Sequence, residues 1–66
     1  MKVLFDEKAD AIYLRFDDSG IVESEEVHPG IILDFDERNE VVGVEILHVK
    51  NRIPLAHLKQ MRFEVA

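Results

Sequence analysis

The stretch that most narrows the fold is Gly30 to Leu47, GIILDFDERNEVVGVEIL. Ile31, Leu33 and Phe35 alternate with Ile32, Asp34 and Asp36; further on, Val42, Val44 and Ile46 alternate with Val41, Gly43 and Glu45. A period of two sets each triplet on one face of a pleated strand, and β-branched and aromatic side chains suit a half-buried sheet. The intervening Asp36-Glu37-Arg38-Asn39-Glu40 is polar throughout, with Asn39 able to take a positive φ. The spacing therefore predicts a hairpin with a loop of a few residues. Gly43 inside the second strand predicts a bulge, or a place where another element comes close.

Around this hairpin the rest of the chain falls into order. Val3-Leu4-Phe5 reads as a first strand, and Asp6 to Asp10 as a tight or 3₁₀ turn. Ala11 to Phe16 reads as a second, central strand, with Ile12, Leu14 and Phe16 inward and Ala11, Tyr13 and Arg15 outward. Asp17-Asp18-Ser19-Gly20 is a turn signal. Ile21 to Val27, crowded by Glu23, Glu25 and Glu26, reads as an edge strand, where charge discourages strand addition. In His28-Pro29-Gly30, Pro then Gly suits positions i+1 and i+2 of a type II turn. After Leu47 the period of two is lost. Ile53 to Met61 predicts a short helix with Pro54 near its first turn and Leu55, Leu58 and Met61 turned to the sheet. Phe63 and Val65 alternate, which makes residues 62–65 a candidate sixth strand. The fold class expected is α+β: a small curved antiparallel meander of five strands, or six, with one short C-terminal helix. Its inward set is Ile12, Leu14, Phe16, Leu33, Phe35, Val44 and Ile46.

At 66 residues the chain is a single domain, 1–66. A domain of this size buries only about 60% of its unfolded surface, and without cysteine it has no disulfide or thiolate–metal staple. Self-association is a natural way to add stability, so a homo-oligomer, a dimer before others, is expected. Net charge is −6. That argues against nucleic acid as a direct partner, since phosphate binding needs clustered Lys and Arg, and leaves room for a basic protein partner steered by the field or for a charge that only maintains solubility. No apolar run approaches the roughly 20 residues of a membrane span, and Lys2 is followed by acids rather than by a signal-peptide core. A soluble cytoplasmic protein with no membrane partner is the expectation.

Chemistry-bearing patterns are sparse. Asp34-x-Asp36 opens like a calcium loop, but Arg38 and Asn39 stand where a third ligand and a glycine belong, and Glu45, at the twelfth position, falls in a strand. The better account places one aspartate on the solvent face and the other in the turn. His28, His48 and His57 lack zinc spacing. Ser19 and Ser24 are the only aliphatic hydroxyls, and neither sits on a nucleophile elbow. Gly20, Gly30 and Gly43 are too scattered to cradle a phosphate. Tyr13 and Arg15 share the outward face of one strand, and suit either an interface hot spot or a cross-strand surface pair. No catalytic, cofactor-binding or metal residue is assigned, and no cofactor is expected.

One resemblance covers nearly the whole chain through Leu47. It is carried by Asp6; Ala9-Asp10-Ala11-Ile12-Tyr13-Leu14; Ser24-Glu25-Glu26-Val27 with Pro29-Gly30-Ile31; Leu33-Asp34 with Asp36; and Val42-Gly43-Val44-Glu45-Ile46-Leu47. These blocks, in this order, resemble a widespread short prokaryotic family of uncharacterised proteins, the domain of unknown function family 2283. The resemblance implies a small antiparallel sheet with a helical tail and brings no ligand or catalytic residues. It also implies companions that are small basic proteins, in the manner of toxin–antitoxin pairs. Two departures stand out. Arg38-Asn39 replaces the glycine common in the hairpin turn, and His48-Val49 replaces small residues after the last strand.

The function expected is therefore a self-associating protein-interaction module, as companion of a basic protein. The alternative is a small ligand-binding protein or enzyme with a site at a subunit interface, built from His28, His48 or aspartates.

Overall fold

The computed structural model describes all 66 residues, Met1–Ala66. Five strands form one antiparallel sheet: β1 Lys2–Asp6, β2 Ala11–Arg15, β3 Glu23–His28, β4 Ile31–Phe35 and β5 Val41–Leu47, followed by a 3₁₀ turn, Val49–Asn51, and a helix, α1, Leu55–Leu58. Their order across the sheet is β1-β2-β5-β4-β3. The central strand is thus β5, not the expected Ala11–Phe16, because the N-terminal hairpin docks on the far side of the Gly30–Leu47 hairpin. The charged β3 is an edge, as its glutamates predict.

Register fixes the two faces. Phe5, Ile12, Ile46 and Ile31 line one row across the sheet, and Val3, Leu14, Val44 and Leu33 the next. These are the apolar face. The opposite face carries Leu4, Tyr13, Glu45 and Ile32 in one row, and Lys2, Arg15, Gly43, Asp34 and Ser24 in another. In the β4–β5 pair the register shifts between Asp34 and Phe35, leaving Val42 as the extra residue beside Gly43. That bulge, foreshadowed by the glycine, buries Val42 to 3% exposure.

The turns obey local chemistry. Asp6 Oδ1 accepts the Ala9 N–H at 3.0 Å, and Asp10 closes the β1–β2 turn with φ 55°. Gly30, at φ 80°, ends the β3–β4 turn, a conformation that favours glycine. In the β4–β5 loop Asn39 takes φ 63°, and Asp36 Oδ1 accepts the N–H groups of Arg38 at 2.9 Å and Glu40 at 3.0 Å. An asparagine thus takes the left-handed conformation that the loop requires.

The segment after β5 departs from expectation. Val49, unassigned by pattern, is fully buried, and the 3₁₀ turn that carries it is tied to the β1–β2 turn. The Val49 N–H donates to the Asp10 carbonyl at 3.2 Å, and the Lys50 N–H to Asp10 Oδ1 at 2.9 Å. Arg52 Nη2 donates to the Pro29 carbonyl at 3.0 Å. Val49, Ile12 and Leu58 form the buried cluster, with Phe5, Leu14, Ile46 and Leu55 packed on it. The helix is shorter than the expected 53–61. Pro54 stands beside its first turn, as expected, in the N-cap position, but α1 ends at Leu58, leaving Met61 52% exposed. Residues 62–65 form no sixth strand; Phe63 is 82% and Val65 83% exposed. Of the expected inward set, Ile12 is buried, Leu14, Leu33, Phe35, Val44 and Ile46 are half-buried, and Phe16 lies beyond β2 and is exposed.

Leu58→Ala removes a buried cluster member and should lower unfolding free energy by about 2–5 kcal/mol. Val65→Ala, on a side chain already in water, should change it by less than about 0.5 kcal/mol. Urea unfolding of both variants at low protein concentration checks the difference.

Candidate functional site

The polar face is not a plain solvated surface. Asp34, expected on the solvent face, is 1% exposed. Ser24, directly across from it on β3, donates its hydroxyl to Asp34 Oδ1 at 2.6 Å. The other oxygen, Oδ2, is buried and receives no bond from any fixed N–H or O–H donor. It lies over Gly43. A Cβ there would stand 3.0 Å from Asp34 Oδ2, 3.2 Å from Tyr13 Oη and 3.3 Å from the Leu14 carbonyl. Gly43 is therefore a close-approach glycine as well as a neighbour of the bulge.

Glu45 sits diagonally from Asp34 on the same face, since Ile32 opposes Glu45 and Asp34 opposes Gly43. Burial, then the Asp34 charge, then a hydrogen bond to Asp34 raise the Glu45 pKa above its ordinary value. Two carboxylates this close repel one another, and protonation of Glu45 would relieve that repulsion. Tyr13 and Arg15 flank the pair. Arg15 Nη1 donates to Tyr13 Oη at 3.3 Å, and its Nε donates to the Asp17 carbonyl at 2.6 Å, while Nη2 bonds the Ser19 carbonyl. Arg15 thus fixes the start of the long β2–β3 crossing. Asp17, held by the Ser19 hydroxyl and then the Asp18 N–H, titrates below its ordinary value.

Two concave regions flank the sheet. One, of about 440 Å³, lies between the 17–22 crossing and the β4–β5 loop, and its wall includes the acids Asp17, Asp36, Glu37 and Glu40 and one base, Arg38. The other, of about 460 Å³, is a groove on the apolar face between Val3, Leu14 and Phe16 of the sheet and Met61 and Phe63 of the tail.

The residues singled out in the sequence scatter. Asp34 and Asp36 divide into a buried strand residue and a loop staple, the second as expected. His28 ends β3, His48 sits at φ 55° before the 3₁₀ turn, and His57 lies on α1; all three are exposed. No three His, Asp or Glu side chains gather as a metal ion would need. Tyr13 and Arg15 do meet, but along one strand rather than across two. The Ser24–Asp34–Glu45 constellation escaped the sequence reading, although the two-residue spacing of Gly43 and Glu45 opposite Asp34 carries its geometry.

A family model described as "Protein of unknown function (DUF2283)" matches residues 2–50. The chain belongs to this family. The DUF2283 match spans the whole sheet, the Asp34 constellation and most of the 3₁₀ turn, and stops before α1. No curated protein and no solved structure matches the chain. No helix is long and apolar enough to cross a membrane.

Because the folded Glu45 pKa is raised, the folded state binds more protons than the unfolded one from the ordinary glutamate value up to the folded value. Its contribution is fully present below that window and lost as pH rises through it. Glu45→Gln, which has no such titration, should therefore differ least from the parent at or below the ordinary glutamate value and gain on it as pH rises through that window, the margin then staying constant, as read by urea unfolding at a series of pH values. Gly43→Ala should cost about 1–3 kcal/mol in the same assay, since its methyl meets a backbone oxygen that cannot swing away.

Proposed function

We propose that this DUF2283 chain is a self-associating interaction module whose apolar face is completed by another polypeptide. The observation that carries this is surface area. A folded monomer of 7.6 kDa exposes about 4,300 Å², whereas this chain exposes 5160 Å². The excess of about 900 Å² is close to the roughly 800 Å² that each partner contributes to a standard interface. Shape agrees: the radius of gyration is 12.7 Å, against about 10.8 Å for a compact domain of this length. Only Ile12, Val42, Val49 and Leu58 are buried hydrophobics, while Val3, Phe16, Met61 and Phe63 stay exposed around one groove. The acid-lined cleft and the glutamates of β3 favour a basic protein as a further partner, drawn by the field.

Sedimentation equilibrium tests the reading. The expected result is a concentration-dependent rise from 7.6 kDa to twice that mass. Phe63→Ser, which removes a rim side chain 82% exposed in the single chain, should weaken association about tenfold or more without unfolding it. A basic partner retrieved in a pull-down should be lost as salt is raised. A monomer up to about 1 mM would overturn the proposal.

A further inference from the structure

The two free edges of the sheet are chemically unlike. β3 presents Glu23, Glu25 and Glu26, and a register shift near Val27 distorts it. Paired antiparallel with its own copy, it sets glutamate against glutamate in every register that overlaps five or six residues. Charge and irregularity of this kind blunt an edge. β1, Lys2-Val3-Leu4-Phe5-Asp6, has no such guard. It pairs only with β2, so its outer N–H and C=O groups form an open row, and Val3 and Leu4 are 46% and 47% exposed.

The β1 sequence is also complementary to itself. In the antiparallel register centred on Leu4, Lys2 opposes Asp6 of a second copy, Val3 opposes Phe5, Leu4 opposes Leu4, and the second ion pair follows by symmetry. Every pairing is favourable for directly opposed residues, and all five residues of the strand are used. Faces match as well. Val3 and Phe5 lie on the apolar face beside Leu14 and Ile12, and Lys2, Leu4 and Asp6 lie on the other. A two-fold axis normal to the sheet at Leu4 keeps both apolar faces on one side, as an isologous interface requires.

Resting on the self-association proposed above, we infer that two copies join edge to edge through β1. The product is a ten-stranded antiparallel sheet of order 3-4-5-2-1-1-2-5-4-3 in which the two apolar grooves meet across the seam. The occupant of the edge is a second copy of this chain, specified by the alternating lysine and aspartate ends of β1 and by the continuity of Val3 and Phe5 with the existing core. β3 stays at both outer edges, where its glutamates end the sheet.

The test combines cross-linking with mass measurement. The chain has no cysteine, so Leu4→Cys introduces a single thiol at an exposed position. Directly opposed strand residues have Cα atoms about 4.5–5.5 Å apart, within disulfide reach. Mild oxidation should give a reductant-sensitive dimer with Leu4→Cys and none with Glu25→Cys on β3. Lys2→Glu, which turns both end pairs repulsive, should weaken the dimer about tenfold in sedimentation. Adding Asp6→Asn, which keeps an oxygen for the Ala9 N–H, should recover part of that loss. A parent dimer that cross-links through Glu25→Cys but not Leu4→Cys, or ignores Lys2→Glu, overturns the β1 seam while leaving self-association standing. A parent that stays monomeric overturns both.

Discussion

The structure depends on β5 being paired on both sides. Ile46 and Val44 meet Ile12 and Leu14 of β2 along one side and Ile31 and Leu33 of β4 along the other. Without that strand there are two isolated hairpins, each marginal in water. With it there is one sheet whose apolar rows run unbroken from β1 to β4. The tail then has a surface to sit on, and Asp10 and Pro29 offer the carbonyls that anchor it.

The two faces solve different problems. The apolar face is a single layer, and a four-residue helix with a 3₁₀ turn roofs only the end around Ile12 and Val49. A layer covered over part of its area remains thin, which is why so many half-buried side chains accompany so few buried ones. The other face buries a carboxylate, a costly choice for a small domain. Ser24 offsets part of that cost with one hydrogen bond to Oδ1, while Oδ2 has no donor from the protein. Gly43 makes room for Asp34 Oδ2 and Tyr13 Oη by having no side chain.

Much of this was legible in the residues, and what was not has a physical reason. The hairpin, the positive φ of Asn39 and Gly30 and the edge position of β3 followed from period two, from residue type, and from clustered glutamates. These are local signals. The central place of β5 was not legible, because strand order is a matter of which hairpin docks where, and alternation is blind to it. The helix ran short: the spacing puts Met61 on its inner face, but the chain leaves helical geometry after Leu58, and Met61 stands half exposed at the rim of the apolar groove. Val49 was hidden by its setting among polar residues, and a buried position in a 3₁₀ turn leaves no periodic trace. Asp34 was misplaced because an aspartate on an outward strand position is nearly always wet. Its burial comes from Ser24 and Tyr13 on other strands.

The strand order has a kinetic consequence. β3, β4 and β5 follow one another through short connections, so they can condense as a local unit. β2, in contrast, must wait for a partner that lies some thirty residues further along the polypeptide, and closing that span is an entropic barrier that local contacts do not lower. During synthesis the N-terminal hairpin emerges first, and its β2 flank stands unsatisfied until β5 arrives. The acids of its tight turn and the glutamates that follow keep such an intermediate dispersed while it waits.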